Sequence, residues 1–164
     1  MRIYIAGASK ELDRVKSAYA IARELGFELT YDWVAEVEAH NGVTNEGLDD
    51  GERRRLSTKE VYAVVLADVF WLLCPQGVGV GAFVELGVAV AAQRLAYDRH
   101  IIVASGPTRR TIFGAQADFE VPTDEDGANI VRELRDFVAA ARFKWLWQGM
   151  SPAERADVLT SWRR

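Results

Sequence analysis

The run Val69–Leu73, VFWLL, sets five large apolar side chains in succession. Successive side chains of a strand point to opposite faces, so a strand with no polar residue has to be covered on both. Such strands belong to parallel sheets flanked by helices on each side. Ile3–Ala6 (IYIA, followed by Gly7) and Ile101–Ala104 (IIVA) have the same apolar character. Phe27–Trp33 (FELTYDW) alternates and is rich in aromatic and β-branched residues, which predicts another strand, and Phe119–Val121 predicts a short fifth.

Helical patterns separate these strands. Val15, Ala18, Tyr19, Ala22 and Leu25 recur at helical spacing, predicting a helix capped by Ser9 and ended by Gly26. Ser57 with Glu60 three residues on forms a capping-box pattern for a helix reaching about Ala67. Another helix is predicted over Ala82–Ala96, and a final one from Asp126 to about Trp147. Ser151-Pro152 opens a last short helix. Residues 35–55 are polar and weakly periodic, and are read as one long connection of the kind that often serves as a lid. The expected fold is α/β: one domain over 1–164 with a doubly wound, flavodoxin- or Rossmann-like sheet of five parallel strands, ordered 2-1-3-4-5. The 164 residues suit a single core of that size.

The net charge of -4 gives no support to a nucleic-acid or acidic-membrane partner, which would favour a basic face. No segment approaches the ~18 consecutive apolar residues of a membrane span, and MRIYIAGASKE does not read as a signal peptide. Cys74 is the single cysteine, which excludes an internal disulfide framework and fits a reducing, cytoplasmic compartment. Phe143, Trp145, Trp147 and Trp162 are too many aromatics for a solvated tail, so residues 125–164 are expected to close the core or to make contacts in a homo-oligomer.

In sheets of this class, ligands bind beyond the carboxyl ends of the strands, near the point where the strand order reverses. Gly7-Ala8-Ser9 and Cys74–Gly81 fall there. Gly77, Gly79 and Gly81 let the backbone approach a ligand closely. No lysine-serine pair follows them, which excludes a P-loop, and the dinucleotide fingerprint is not matched. Glu85 is expected in the opening turn of the next helix, where the dipole favours its ionised form. There it is either a nucleophile or electrostatic partner for a developing cation, or a plain first-turn acid. Tyr4 projects from one face of its strand, as core or as a working group. Asp32 and Trp33 close the second strand on the ligand side, whereas Asp68 sits at the opposite edge, where a turn aspartate is ordinary. Trp71 and Phe70 read as core. Neither His40 nor His100 has a metal-like partner at useful spacing, so no metal and no cofactor is expected.

Three stretches together resemble the nucleoside 2-deoxyribosyltransferase family and its nucleotide N-glycosidase relatives. IYIAGAS resembles the family's opening strand, ADVFWLL its aspartate followed by an apolar strand, and GVGAFVELGVA its glycine run ending in a Glu-Leu-Gly helix; the order and spacing hold over about the first 105 residues. The resemblance implies that Glu85 is the nucleophile attacking the anomeric carbon of a nucleoside or nucleotide, that Tyr4 orients it, and that Asp68 lies near the base and helps the leaving group accept a proton. It implies substrate contacts from Gly7, Ser9, Gly77, Gly79 and Gly81, no cofactor, and a homo-oligomer in which a neighbouring subunit completes the site. Family transferases carry an acid six positions before the nucleophile; here that position is Gly79, which should suit a 5′-phosphate, with Ser9, Lys10 and Arg14 as further contacts. CPQGVGVGAFVE also resembles the loop of cytokinin-type phosphoribohydrolases, without their characteristic threonine. The readings from other classes are a non-catalytic nucleotide-binding module and a flavodoxin-like interaction domain.

Overall fold

The computed structural model describes residues 1–40, 47–77, 79–95, 100–108, 111–139 and 154. Five strands, β1 (Arg2–Ala6), β2 (Glu28–Leu29), β3 (Val69–Leu73), β4 (Ile101–Ser105) and β5 (Phe119–Val121), form one parallel sheet in the order β2-β1-β3-β4-β5. This is the doubly wound α/β arrangement expected from the apolar runs. All five residues of β3 and of β4 are buried. Side chains on one face of the sheet (Tyr4, Phe70) meet α3 (Asp50–Leu66) and α4 (Val80–Leu95), and those on the other (Ile5, Trp71) face α1 (Leu12–Glu24) and α5 (Asp124–Ala139). The α1 helix and α4 therefore leave the adjacent strands β1 and β3 on opposite faces, opening a crevice at their carboxyl ends.

Several boundaries differ from the sequence expectation, each for a local reason. The α1 helix starts at Leu12 after Glu11, whose carboxylate is spent on Arg14 and the Gln76 N–H rather than on the helix; Ser9 is exposed and caps nothing. Strand β2 is cut to two residues because Asp32 caps a new helix, α2 (Trp33–Ala39), by accepting from the Ala35 N–H at 3.1 Å. Trp33 then turns into the core and donates to the Ile5 carbonyl at 2.9 Å. The polar stretch 35–55 thus holds α2 and the start of α3, which Asp49 caps through the Glu52 N–H at 2.8 Å. Ser57 lies inside α3, with its hydroxyl on the Arg54 carbonyl, so the capping-box reading fails. These helices lack a continuous apolar stripe. Ion pairs tie them together instead, with Glu36 on α2 holding Arg55 and Lys59 of α3 at 3.1 and 2.7 Å. A 3-10 helix, Ile112–Gln116, packs against α4 on the way to β5. The predicted end of the last helix at Trp147, the Ser151-Pro152 helix and the aromatic residues 143–162 lie outside the described residues.

Arg14 anchors α5 to α1 across the carboxyl edge of the sheet. Its guanidinium bonds both carboxylate oxygens of Asp124, the carboxylate of Glu11 at 2.6 Å and the Cys74 carbonyl at 2.9 Å. Asp124 also accepts from Ser105 at 2.7 Å. These bonds hold the Asp124 carboxyl below its ordinary range against the opposing effect of burial. Replacing Arg14 by methionine leaves two carboxylates without their cation, so stability is expected to fall by about 2 kcal/mol, read as a lower urea midpoint with an unchanged slope.

Candidate functional site

Tyr4 is fully buried in mid-β1, and its ring stacks on Phe70 at 5.9 Å with an interplanar angle of 2°. Its hydroxyl leaves this apolar bed toward α4 and donates to the Glu85 Oε1 at 2.5 Å. The choice between core and working group at Tyr4 resolves into both: the ring is core and the hydroxyl is an anchor. Because α4 begins at Val80, not Ala82, Glu85 stands in its second turn and the first turn carries no acid. The expected stabilisation by the helix dipole, confined to the first turn, is largely lost there. Burial instead raises the Glu85 carboxyl to about 8, with the Tyr4 hydrogen bond pulling it down and the Glu60 carboxylate pushing it up. Burial thus works against the ionised form that the helix dipole was expected to favour. Burial, followed by Glu85 and Glu60, pushes the Tyr4 phenol well above its usual range, so Tyr4 acts as a donor.

Glu60, on α3, is the residue missed as a site candidate. Half-buried like Glu85, it faces both Tyr4 and Glu85; burial raises its own carboxyl, and none of the described side chains hydrogen-bonds to it. Its place three residues after Ser57 disguised it as a helix-capping residue. The signal that could have found it is its helical position, with Ala63 and Val64, on the inward face of α3.

Asp68 does not join this group. It sits at the amino-terminal edge of β3, where it accepts from the Arg2 N–H at 2.8 Å and pairs with the Arg2 guanidinium at 3.6 Å. The residue-based placement at the far edge holds, and a short shift of the strand start does not bring it to Glu85. Asp32 is an N-cap paired with Arg23, and Trp33 is core.

The glycines divide into two kinds. A Cβ on Gly7 would stand 2.7 Å from the Val15 side chain, so Gly7 permits the close seat of α1. At Gly79 it would stand 2.6 Å from the Pro75 Cβ and 3.3 Å from that of Ala8. The room expected there for a substrate phosphate is filled by Pro75; what the position contributes is the absence of a carboxylate. Gly77 and Gly81 face open space. Ser9 and Lys10 are exposed beside this loop, whereas Arg14 is fully engaged by Asp124 and Glu11.

His40 also differs from expectation. With Glu36 and Glu52 it forms a group whose ligand-capable atoms lie within 4.8 Å of one another. Arg55 bridges the two carboxylates, and Lys59 adds a second cation to Glu36, whose carboxyl these hydrogen bonds hold down to about 2. The cluster is an ion-pair network with its own cations. Among the described residues, no helix is long and apolar enough to cross a membrane.

No protein-family model matches the chain, and no curated protein sequence does. Among solved structures, the chain is similar to the CMP N-glycosidase BcmB of Clostridium botulinum, with a TM-score of 0.50 and 15% identity over 84% of this chain and 99% of that one. At that identity the likeness is one of fold.

Proposed function

We propose that the protein breaks the N-glycosidic bond of a nucleoside or nucleoside 5′-monophosphate by way of a glycosyl ester on Glu85. The observation that carries this reading is the Tyr4–Glu85 hydrogen bond on a half-buried carboxyl, with the second half-buried carboxyl of Glu60 near enough to raise it. One Glu85 oxygen attacks the anomeric carbon as the bond from that carbon to the base nitrogen breaks. Glu60 gives its proton to the departing base, the role the family resemblance implied for Asp68. Tyr4 keeps its bond to the other Glu85 oxygen throughout. Water or a second base then attacks the anomeric carbon, its bond to the Glu85 oxygen breaks, Glu60 takes up the proton released, and Glu85 leaves as a carboxylate. Because Gly79 puts no negative charge near the 5′ end, a 5′-phosphate is accepted. The fold likeness to a CMP N-glycosidase supports this choice of substrate.

The test is direct. The pure protein is incubated with nucleosides and their 5′-monophosphates, with and without an added free base, and the released base is followed by chromatography. Faster release from the monophosphate supports the reading. Release only from the bare nucleoside, with the sugar recovered on the added base, would make it a nucleoside transferase; no release from any substrate would leave a non-catalytic nucleotide-binding module.

The same reading includes a twofold dimer. Every large exposed apolar side chain among the described residues lies on α3, α4 or the 3-10 helix, including Tyr62, Leu66, Val84 and Ile112 at 51–84% exposure. A one-sided apolar surface of this kind favours a self-complementary interface. It differs from the segment 125–164 expected for oligomer contacts, most of whose aromatic residues lie outside the described residues. Tyr62→Arg is expected to shift the sedimentation coefficient from dimer to monomer at micromolar concentration; a wild-type protein already monomeric there would refute the dimer.

A further inference from the structure

Tyr4 and Phe70 are direct neighbours across β1 and β3, and Ile102 continues the row on β4. All three side chains are fully buried. The pairing of β1 with β2 covers only Arg2 and Ile3. At the level of Tyr4 the sheet therefore flanks the ring with a paired strand side chain on one side, that of Phe70. The two rings lie 2° from parallel with centroids 5.9 Å apart, within the spacing that stacked aromatic pairs favour. A tyrosine hydroxyl lies on the long axis of its ring, so rotation about that axis leaves it in place and only a tilt of the ring moves it. As the atom farthest from the backbone, it travels farthest in any tilt. The flat face of Phe70 opposes a tilt toward β3, and the hydroxyl so held donates to the Glu85 Oε1 at 2.5 Å, on another element. A hydrogen bond tolerates little of this movement, because it weakens steeply as its angle closes and its length grows.

We infer that Phe70 is a positioning residue: its ring, stacked on that of Tyr4, sets the place from which the Tyr4 hydroxyl holds Glu85, and so fixes the carboxylate for attack. The consequence for catalysis rests on the glycosidic reading; the positioning itself does not. Packing alone would let any apolar side chain of similar volume serve at position 70. Positioning makes the flat ring the requirement. Methionine fills much of the same volume, but its flexible chain does not oppose a tilt of Tyr4.

The test reads the pH dependence of stability, which needs no turnover. Glu85 is faced by Tyr4 on β1 and Glu60 on α3, and Tyr19 on α1 senses its charge. Phe70 carries no charge and acts on Glu85 only through packing or through Tyr4. The folded protein holds the Glu85 proton to a higher pH than the unfolded chain, so stability falls across that interval; the Tyr4 bond shortens the interval by favouring the charged form. Melting temperatures of the wild type, Phe70→Met, Phe70→Leu, Tyr4→Phe and Tyr4→Phe/Phe70→Met are measured at about pH 5 and about pH 9. The fall between the two is expected to be about 3 °C deeper in both Phe70 variants than in the wild type. It should match that of Tyr4→Phe and deepen no further in the double variant. An equal loss at both pH values, a shallower fall, a further deepening in the double variant, or failure of both Phe70 variants to fold would each make Phe70 plain packing and overturn the assignment. Base release is followed separately: Phe70→Met should lower kcat/KM about tenfold, and no further in the Tyr4→Phe background. The expected melting pattern without base release rejects the glycosidic reading alone; base release with a pH-independent loss in Phe70→Met rejects the assignment of Phe70 alone.

Discussion

Replacing Glu85 by glutamine is expected to lower base release by about 10⁴-fold or more, the scale seen when a covalent nucleophile is removed. Glutamine keeps the shape and can still accept from Tyr4, so the fold should survive. Stability provides the control. The folded protein holds the Glu85 proton up to about pH 8, whereas an unfolded chain releases it near the ordinary value of 4.5. Between those values the unfolded state binds fewer protons, so this group makes stability fall as pH rises from about 4.5 and level off above about 8. Glu85→Gln removes that dependence. Its melting temperature should therefore match the wild type near pH 5 and exceed it near pH 8. Near-normal turnover in the variant would remove Glu85 from the mechanism, and a variant that melts earlier at both pH values would make the residue structural.

The second large effect belongs to the Glu60–Glu85 pair. Both carboxyls are raised, each charge opposes the other, and Tyr4 touches only Glu85. Such a pair loses its protons in two steps that belong to the pair rather than to either residue. The chemistry needs one proton and one charge between them, with the proton on Glu60. The pH profile of kcat/KM should therefore be a bell, rising as the first proton leaves the pair and falling as the second leaves. Glu60→Gln removes the acid. It should cost about 10²–10⁴ in rate, abolish the alkaline fall and leave a profile that rises to a plateau as Glu85 ionises. The loss should be smallest for a cationic base such as 7-methylguanine, which needs no proton to leave. An unaltered bell in Glu60→Gln would show that the alkaline limb comes from another group.

The frame of this fold was legible because burial on two faces leaves a direct trace: VFWLL and IIVA read as central strands, and central strands they are. The polar half of the chain left no such trace. Residues 33–39 and 50–56 become helical through caps at Asp32 and Asp49 and through charges paired across α2 and α3, none of which shows as periodicity. Motif and strand pattern marked Glu85 and Tyr4, and the structure joins them by a hydrogen bond, although neither pattern set their distance. Glu60 was hidden by its exposed helical neighbours, and Asp68 was nominated by a motif whose geometry it does not share. The ionisation of Glu85 was not legible because burial, which raises its carboxyl most, depends on how α4 packs on the sheet and on Glu60 from another helix.

The contact of Pro75 with Gly79 constrains how this chain can change over evolutionary time. Under the proposed reading, an acid at position 79 would favour a free 5′-hydroxyl, yet any side chain there strikes the proline ring. Gly79→Asp alone should damage the loop, and replacement of Pro75 alone gives no new contact to select. Under the same reading the two substitutions are of use only together, so a single ring would hold a lineage with this pair on one side of a fitness valley.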